Sequence, residues 1–116
     1  MIEKTVLDYL AEELDPVPVY MQAPESVPNP GSAKFVVLEK TGSSLENHIF
    51  SAVIAVQSYA PTLYEAAVLN EAVKAAMLQI IELSEITRVD LNSDYNFTDE
   101  TTKQPRYQAV FDLVHY

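Results

Sequence analysis

Apolar residues recur every three or four positions in two segments of the chain, and this spacing predicts two helices. The first helix covers residues 2–14, and its apolar side consists of Ile2, Val6, Leu10 and Leu14. The second and longer helix covers residues 62–83, and its apolar stripe consists of Leu69, Val73, Met77, Ile80 and Ile81. Thr62 and Glu65 have the spacing of a capping box, which predicts that the longer helix begins at Thr62.

Alternating apolar and polar residues predict five strands outside these helices. A short strand follows Pro16, where Val17, Val19 and Met21 alternate, and the prolines place it at a sheet edge. The other four strands form two antiparallel hairpins. They cover residues 34–41 and 47–59, joined by a turn at 42–44, and residues 86–92 and 106–116, joined by a polar region.

The resulting order is α-β-β-β-α-β-β, which predicts an α+β fold. We expect an antiparallel or mixed sheet of about five strands, packed against two helices, in a single domain over residues 1–116. The strand at 47–59 carries apolar side chains on both faces, with Phe50 and Ile54 on one and Val53 and Tyr59 on the other. One face should meet a helix. The other needs a second cover, which a neighbouring subunit is one way to provide.

Charge and composition narrow the possible functions. The chain has 116 residues, no cysteine and a net charge of −10. The missing cysteines rule out disulfides and thiolate metal sites. A chain this acidic is a poor candidate for binding nucleic acid, because phosphate contacts need lysine and arginine. We expect no membrane span, since no apolar run approaches the ~20 residues required, and no signal peptide, since the N-terminal segment lacks a basic start and an apolar block.

One acidic segment has calcium-like spacing. Its four candidate ligands are Asp90, Asn92, Asp94 and Asn96. A calcium loop then requires glycine at its sixth position and glutamate at its twelfth, where this chain has Tyr95 and Thr101. A strand that enters a hairpin gives the same spacing, so the strand interpretation is preferred and we expect no metal site.

Catalytic patterns are weak. His48 and His115 are the chain's two histidines, and neither Ser51 nor Ser58 has the Gly-x-Ser-x-Gly setting of a nucleophile elbow. Two glycines in the whole chain leave no glycine-rich phosphate loop. We therefore predict a protein that is not an enzyme and needs no cofactor. A small hydrolase or isomerase that uses either histidine is the weaker alternative.

Tyrosines, a proline-rich loop and the first hairpin indicate protein contacts instead. Tyrosine is enriched in interfaces because it buries a ring and keeps a polar group. The alternative is that most of these tyrosines are half-buried sheet residues. The candidate interface residues are Tyr20, Pro28, Pro30, Leu45, His48, Phe50, Ile54, Tyr59 and Tyr64.

The sequence also resembles a known family. The segments VPVYMQAPE, FVVLEKTGSSLENHIFSAVIAVQSYAPTLYEAAVLNEAVKAAM and YQAVFDLVHY are similar to the tail terminator, or tail completion, proteins of long-tailed bacteriophages and prophages. The resemblance covers nearly the whole chain, and it consists of residue patterns with no catalytic motif.

The resemblance implies a minor tail protein that acts in virion assembly. Such a subunit forms a homo-oligomeric, hexameric ring on the head-proximal end of the tail tube, stops tube polymerisation and gives the head a surface to join. The implied partners are further copies of the chain, the major tail tube protein and a head-completion or neck protein. DNA would pass the lumen without specific binding. The implied location is the virion tail, and the bacterial host cytoplasm during assembly. A head-completion or neck connector and a small non-catalytic adaptor domain are the alternatives.

Overall fold

The computed structural model describes residues 1–22, 34–98, 100–101 and 103–116. These residues form two α-helices, a short 3-10 helix and five strands. In chain order the elements are α1 (Ile2–Glu13), β1 (Val19–Tyr20), β2 (Phe35–Glu46), β3 (Ile49–Tyr59), α2 (Leu63–Leu78), the 3-10 helix (Ile80–Glu82), β4 (Ile86–Asn96) and β5 (Arg106–His115). The predicted α+β class and element order are confirmed. Neither α-helix of the described residues has the length and apolar character needed to cross a bilayer.

The five strands form one mixed sheet in the order β1-β2-β3-β5-β4. β1 pairs in parallel with β2, at one edge of the sheet as predicted, and all other pairs are antiparallel. β5 lies between β3 and β4, so the pairing of β3 with β5 joins the two predicted hairpins into a single sheet. The long β3 is therefore a central strand, as its apolar character on both faces requires.

Both helices pack on the same face of the sheet and form the main core with it. Apart from Ile81, the predicted apolar sides of both helices are buried there, and the sheet contributes Ile54 of β3 and Phe111 of β5, which lie opposite each other. Tyr9 also enters this core and donates a hydrogen bond from its hydroxyl to the Ala76 carbonyl, at 2.9 Å. This bond joins α1 to α2 across the buried face.

The start of α2 is confirmed, but its end is earlier than predicted. The Thr62 hydroxyl accepts a hydrogen bond from the Glu65 backbone N–H at 3.1 Å and caps the helix. α2 ends at Leu78, and a 3-10 turn follows it. A 3-10 helix has three residues per turn and is wound more tightly than an α-helix. In this turn Ile80 stays buried and Ile81 faces solvent. Ile81 therefore does not belong to the buried stripe, contrary to the prediction.

The turn of the first hairpin lies further along the chain than predicted. β2 continues through residues 42–44 to Glu46, and the turn consists of Asn47 and His48. Both turn residues have positive φ, 51° and 65°, as a tight two-residue hairpin loop requires. The glycine that suggested an earlier turn lies beside a shift in strand register between Lys40 and Gly42. A bulge of this kind lets a strand continue past a locally irregular residue.

β4 is also longer than predicted, because it extends to Asn96 and not to residue 92. Its register against β5 shifts between Leu91 and Ser93. Leu91 lies opposite Phe111, on the helix side, and the extra residue in the bulge brings Asp94 to that side as well. The simple alternation in the sequence ends at this bulge, which is why the polar residues beyond it resembled a loop.

The opposite face, here called the outer face, has no helix against it among the described residues. Part of it is nevertheless covered within the chain, since Phe35, Val37 and Tyr59 form a second small buried cluster. Ala55 of β3 is buried as well. Nearer the turn, Val53 is half-buried and Ile49 is exposed. The expectation that this whole face needs a second cover is therefore too broad. Only the half near the hairpin turn does.

Candidate protein interface

Three predicted contact residues meet at the end of the first hairpin. Leu45 and Phe50 lie directly opposite each other on β2 and β3, and His48 occupies the turn between them. Leu45 is 58% exposed and Phe50 is 43% exposed, and the neighbouring Ile49 is exposed as well. We call residues 45–50 the hairpin tip. Its large apolar side chains lie past the end of the core, in solvent.

Aromatic contacts hold the base of the hairpin tip in place. The Phe50 ring stacks on the ring of His115 at 5.5 Å, with 17° between the ring planes. Two open cavities flank this pair, with volumes of about 290 and 440 Å³, and Met1 and Ile2 of the α1 N-terminus line both. Open clefts beside an exposed apolar edge are typical of surfaces that bind another protein.

Tyr20 and Tyr59 lie at the opposite end of β3 from the hairpin tip. Phe35 stacks on Tyr59 with ring centroids 4.5 Å apart, and the Tyr20 ring meets Phe35 edge-on at 6.2 Å. Tyr59 is buried, so of the two tyrosines only Tyr20 offers an exposed ring. The other candidates of this region, Pro28 and Pro30, lie outside the described residues.

The structure separates the last two candidates. Ile54 is completely buried between the sheet and the helices. It belongs to the core because its side chain points to the helix face of β3, and it is not a surface residue of this chain. Tyr64 lies in the first turn of α2 and is among the most exposed apolar side chains of the described residues. Tyr64 therefore belongs to a different surface from the hairpin tip.

A row of polar side chains crosses the outer face, which the sequence did not indicate. The Tyr59 hydroxyl donates to the Gln57 carbonyl oxygen at 3.1 Å, and the Gln57 amide donates to the Gln108 carbonyl oxygen at 2.9 Å. Gln108 in turn donates to the Tyr95 hydroxyl. The guanidinium of Arg106 donates to the Tyr59 hydroxyl at 2.9 Å. The available sequence signal was the presence of two glutamines, Gln57 and Gln108, in strands, where β-branched residues are favoured.

The calcium-like residues do not converge on one point. Asp90 accepts a hydrogen bond from Arg88 at 2.7 Å, and Asn92 donates to Asp112 at 3.1 Å. Asp94 faces α2 instead, where it accepts hydrogen bonds from Asn70 and Lys74. No cluster of potential metal ligands occurs within the residues that the structure describes. All four residues lie in β4, as the preferred strand interpretation predicted, and the bulge after Leu91 puts Asp94 on the other side of the sheet from Asp90 and Asn92.

The two histidines and two serines do not form a hydrolytic arrangement. His48 lies in the exposed turn, whereas His115 stacks on Phe50, and its Nδ1 lies 3.0 Å from the Tyr116 carbonyl oxygen. The Ser58 hydroxyl is buried and has no hydrogen-bond partner in the described part of the chain. A triad would need a serine, a histidine and an acid in hydrogen-bond contact. The prediction that the protein is not an enzyme stays a prediction.

No protein-family model matches the chain, and no curated protein matches it significantly. A fold of this kind supports many functions, so function must be argued from surfaces and specific residues. The tail-protein resemblance therefore stays a prediction, and the surfaces of the chain are the basis for judging it.

Proposed function

We propose that the chain is a structural subunit of a phage tail. In this proposal, copies of the chain form a ring at the head-proximal end of the tail tube, terminate tube polymerisation and present the surface that the head joins. The sequence pattern supplies the idea, and the hairpin tip is the observation that supports it best. The proposed location is the virion tail, after assembly in the bacterial host cytoplasm.

The exposed side chains of the hairpin tip favour an assembly role. Leu45, Ile49 and Phe50 are all large, apolar and exposed. Burying one such side chain fully stabilises a contact by roughly 1.5–3 kcal/mol. Leu45 and Phe50, which are paired on one face at the end of the hairpin, therefore suit an anchor for another protein chain. The prediction that Leu45 and Phe50 lie at a contact surface is consistent with their position.

A ring subunit needs two different lateral surfaces, because head-to-tail contacts that close a ring join unlike patches. The chain offers distinct surfaces at its two ends, and its extents are 46 × 26 × 24 Å. The hairpin tip lies at one end of β3, and the exposed ring of Tyr20 lies toward the other. The uncovered half of the outer face, which includes Val53, lies between them. These surfaces suit lateral contacts in a ring.

The charge of the chain suits a DNA passage. Seventeen acidic residues against seven basic ones repel phosphate. Four of the chain's five lysines are paired: Lys4 with Asp8, Lys34 with Glu65, Lys40 with Glu3, and Lys74 with Asp94. Such pairing leaves few free cations to hold DNA. An acidic lumen would let DNA slide through without specific binding.

The proposal is tested by assembling tails with and without the chain. Omission should give tubes of uncontrolled length, seen by electron microscopy. Tubes of normal length that fail to join heads would instead assign the protein to the neck. No effect on either step would leave the adaptor hypothesis as the better one.

Variants then connect the effect to the hairpin tip. Leu45→Asp together with Phe50→Asp should abolish length control, because two buried carboxylates would be introduced into the contact. Leu63→Asp is the matched control, since Leu63 is a similarly exposed leucine at the first position of α2. Length control that survives the double substitution would exclude the hairpin tip as the anchor.

A further inference from the structure

The side of α2 that faces away from the sheet is mostly apolar, with the exposed Glu71 among its residues. Within Leu63–Leu78, the polar interruptions are Glu65, Asn70, Glu71 and Lys74. Tyr64 is 78% exposed and Leu78 is 48% exposed, and between them Val68, Ala72 and Ala75 are exposed too. We call the exposed set Tyr64, Val68, Ala72, Ala75 and Leu78 the outer α2 stripe. Its members follow one another at three or four residues, so they share one side of the helix.

A helix that is apolar on all sides is normally buried on all sides. The inner side of α2 is buried against β3 and β5, through residues such as Val73 and Met77. The outer α2 stripe has no such cover among the described residues. Its alanines would let another backbone approach closely, while Tyr64, Val68 and Leu78 would supply apolar contact area. This surface is separate from the hairpin tip.

A groove continues the outer α2 stripe toward α1. It has a volume of about 390 Å³, and its floor includes Ala72, Ala75 and Tyr9. Glu13 of α1 and Glu82 of the 3-10 helix line it as well. An incoming apolar ridge could therefore lie on the alanines next to these two carboxylates.

The two carboxylates are not neutralised within the chain. Neither Glu13 nor Glu82 forms an ion pair with a lysine or arginine of the described residues. Lys74, the cation of α2, is held by Glu71 at 2.8 Å and by Asp94 at 2.9 Å. Neither α1 nor α2 has a basic residue in its last turn, so the helix dipoles add to the negative potential.

The field of these carboxylates reaches the groove floor. Burial raises the pKa of the Tyr9 phenol to about 12, and the negative charges of Glu13 and Glu82 add to the rise. Each disfavours the tyrosinate form at this position. The same field would favour a cation placed in the groove.

From the exposed stripe and the uncompensated carboxylates, we infer that this surface binds a segment of a partner protein that presents an apolar ridge flanked by lysine or arginine. A second copy of the chain suits it less well. That copy would also carry a charge of −10 and would add Glu13 and Glu82 to a surface already rich in carboxylates. The inference holds whether or not the chain is a tail protein.

The test uses the full chain and two synthetic amphipathic helical peptides. Both peptides carry leucine on one face, and the other face is lysine in one and glutamate in the other. NMR titration of the isotope-labelled chain should show saturable shifts at Val68, Ala75 and Leu78 with the lysine peptide. The glutamate peptide should give none. Shifts confined to the hairpin tip, or equal binding of both peptides, would overturn the inference.

Substitutions distinguish docking from simple attraction between opposite charges. Val68→Asp and Leu78→Asp each add negative charge, so general attraction would tighten binding of the lysine peptide. Docking on the stripe predicts the opposite, a loss of at least about tenfold, the equivalent of 1.4 kcal/mol. Leu45→Asp adds the same charge at an exposed leucine elsewhere and should not weaken binding. Tighter binding of the stripe variants would overturn the inference.

The carboxylates are tested in the same way. Glu13→Gln combined with Glu82→Gln should weaken binding of the lysine peptide several-fold and make that binding less dependent on salt. Glu46→Gln is the control, because Glu46 is exposed at the hairpin tip. If only the stripe variants weaken binding, the surface is apolar without a cationic preference and the inference fails.

A second copy of the chain is the remaining occupant of the stripe to exclude. In sedimentation velocity over a wide concentration range, the parent chain and Leu78→Asp should show the same state of association. A dimer that disappears in this variant would assign the stripe to a second copy and contradict the inference. Circular dichroism of each variant checks the fold, and the exposed Val68→Asp serves if Leu78→Asp does not fold.

Discussion

Lys74 of α2 and Asp94 of β4 form an ion pair across the helix–sheet boundary, with 2.9 Å between Nζ and Oδ2. Asn70, one turn earlier in α2, donates a second hydrogen bond to the same carboxylate oxygen at 3.1 Å. Asn70 is almost completely buried, and its own side-chain oxygen has no partner in the described part of the chain. Asp94 therefore gives the buried Asn70 NH2 group an acceptor and holds the edge strand β4 to the helix.

Asp94→Ala is expected to destabilise the fold by about 1–3 kcal/mol, because it leaves a buried Asn70 donor without a partner. Lys74 contributes less, since exposed and half-exposed ion pairs are worth about 0–1 kcal/mol. The control is Asp90→Ala, because Asp90 pairs with Arg88 on the exposed surface. Urea unfolding should show a change within about 0.5 kcal/mol for the control. Equal effects of both substitutions would contradict the role given to Asp94.

The loss should not depend on pH in the neutral range. The hydrogen bonds that Lys74 donates to the carboxylates of Glu71 and Asp94 raise the pKa of Lys74 above its ordinary 10.5. A lysine with a raised pKa contributes its full stabilisation below the unfolded value and loses it as the pH rises through the folded value. Unfolding free energies of the parent chain and Asp94→Ala should therefore differ equally at pH 7 and pH 9.

Tyr9 makes the fold sensitive to alkaline pH. Its pKa is raised by burial and by Glu13 and Glu82, from 10.0 to about 12. Above pH 10 the unfolded chain ionises this phenol while the folded chain keeps it protonated. Stability should fall between pH 10 and 12, by at most about 1.4 kcal/mol per pH unit from this residue.

Tyr9→Phe is the comparison for this effect. It removes the hydrogen bond to the Ala76 carbonyl, which should cost about 0.5–1.5 kcal/mol at neutral pH. It should also reduce the decline of stability above pH 10, measured by urea unfolding at pH 8 to 11. A decline that is identical in the parent chain and the variant would show that Tyr9 is not its source.

Gly42→Ala tests the corrected position of the hairpin turn. Gly42 lies within β2, its φ is not positive, and an added Cβ would have nothing within 4 Å. Alanine should therefore stabilise the fold by about 0.4–1 kcal/mol, because it restricts the unfolded chain. Thermal unfolding measures the change. Clear destabilisation would favour a turn at residues 42–44 that needs glycine.

Thr62→Ala tests the cap of α2. The hydroxyl that accepts from the Glu65 N–H would be lost, at a cost of about 0.5–2 kcal/mol. Thr62→Ser keeps the hydroxyl and should retain nearly all of the stability. If both substitutions have the same effect in urea unfolding, the hydroxyl is not the source of the stabilisation.

The sequence predicted the elements whose residues are periodic over a long segment. Ile2, Val6 and Leu10 on α1 and Leu69 and Val73 on α2 follow the helical period and are buried as predicted. The hairpin turn and the end of β4 could not be predicted in the same way. Bulges after Lys40 and after Leu91 interrupt the period of two, and a bulge depends on the partner strand more than on its own residues.

The candidate surfaces, too, were predicted from the sequence only in part. Leu45 and Phe50 were predicted as contact candidates, and both are exposed because β2 and β3 extend past the core. The outer α2 stripe was not predicted, and Ala72, which lies among the apolar residues of α2, faces outward. The helix was too uniformly apolar for periodicity to identify its buried side.

The proposed tail function is tested most directly by the length of tail tubes. The measurement is the length distribution, by electron microscopy, of tubes polymerised from the cognate tail tube protein with and without the purified chain. The account predicts tubes of limited length, with a ring at one end, when the chain is present, and no such limit with Leu45→Asp combined with Phe50→Asp. Equal length distributions with and without the chain, and bare tube ends, would contradict it.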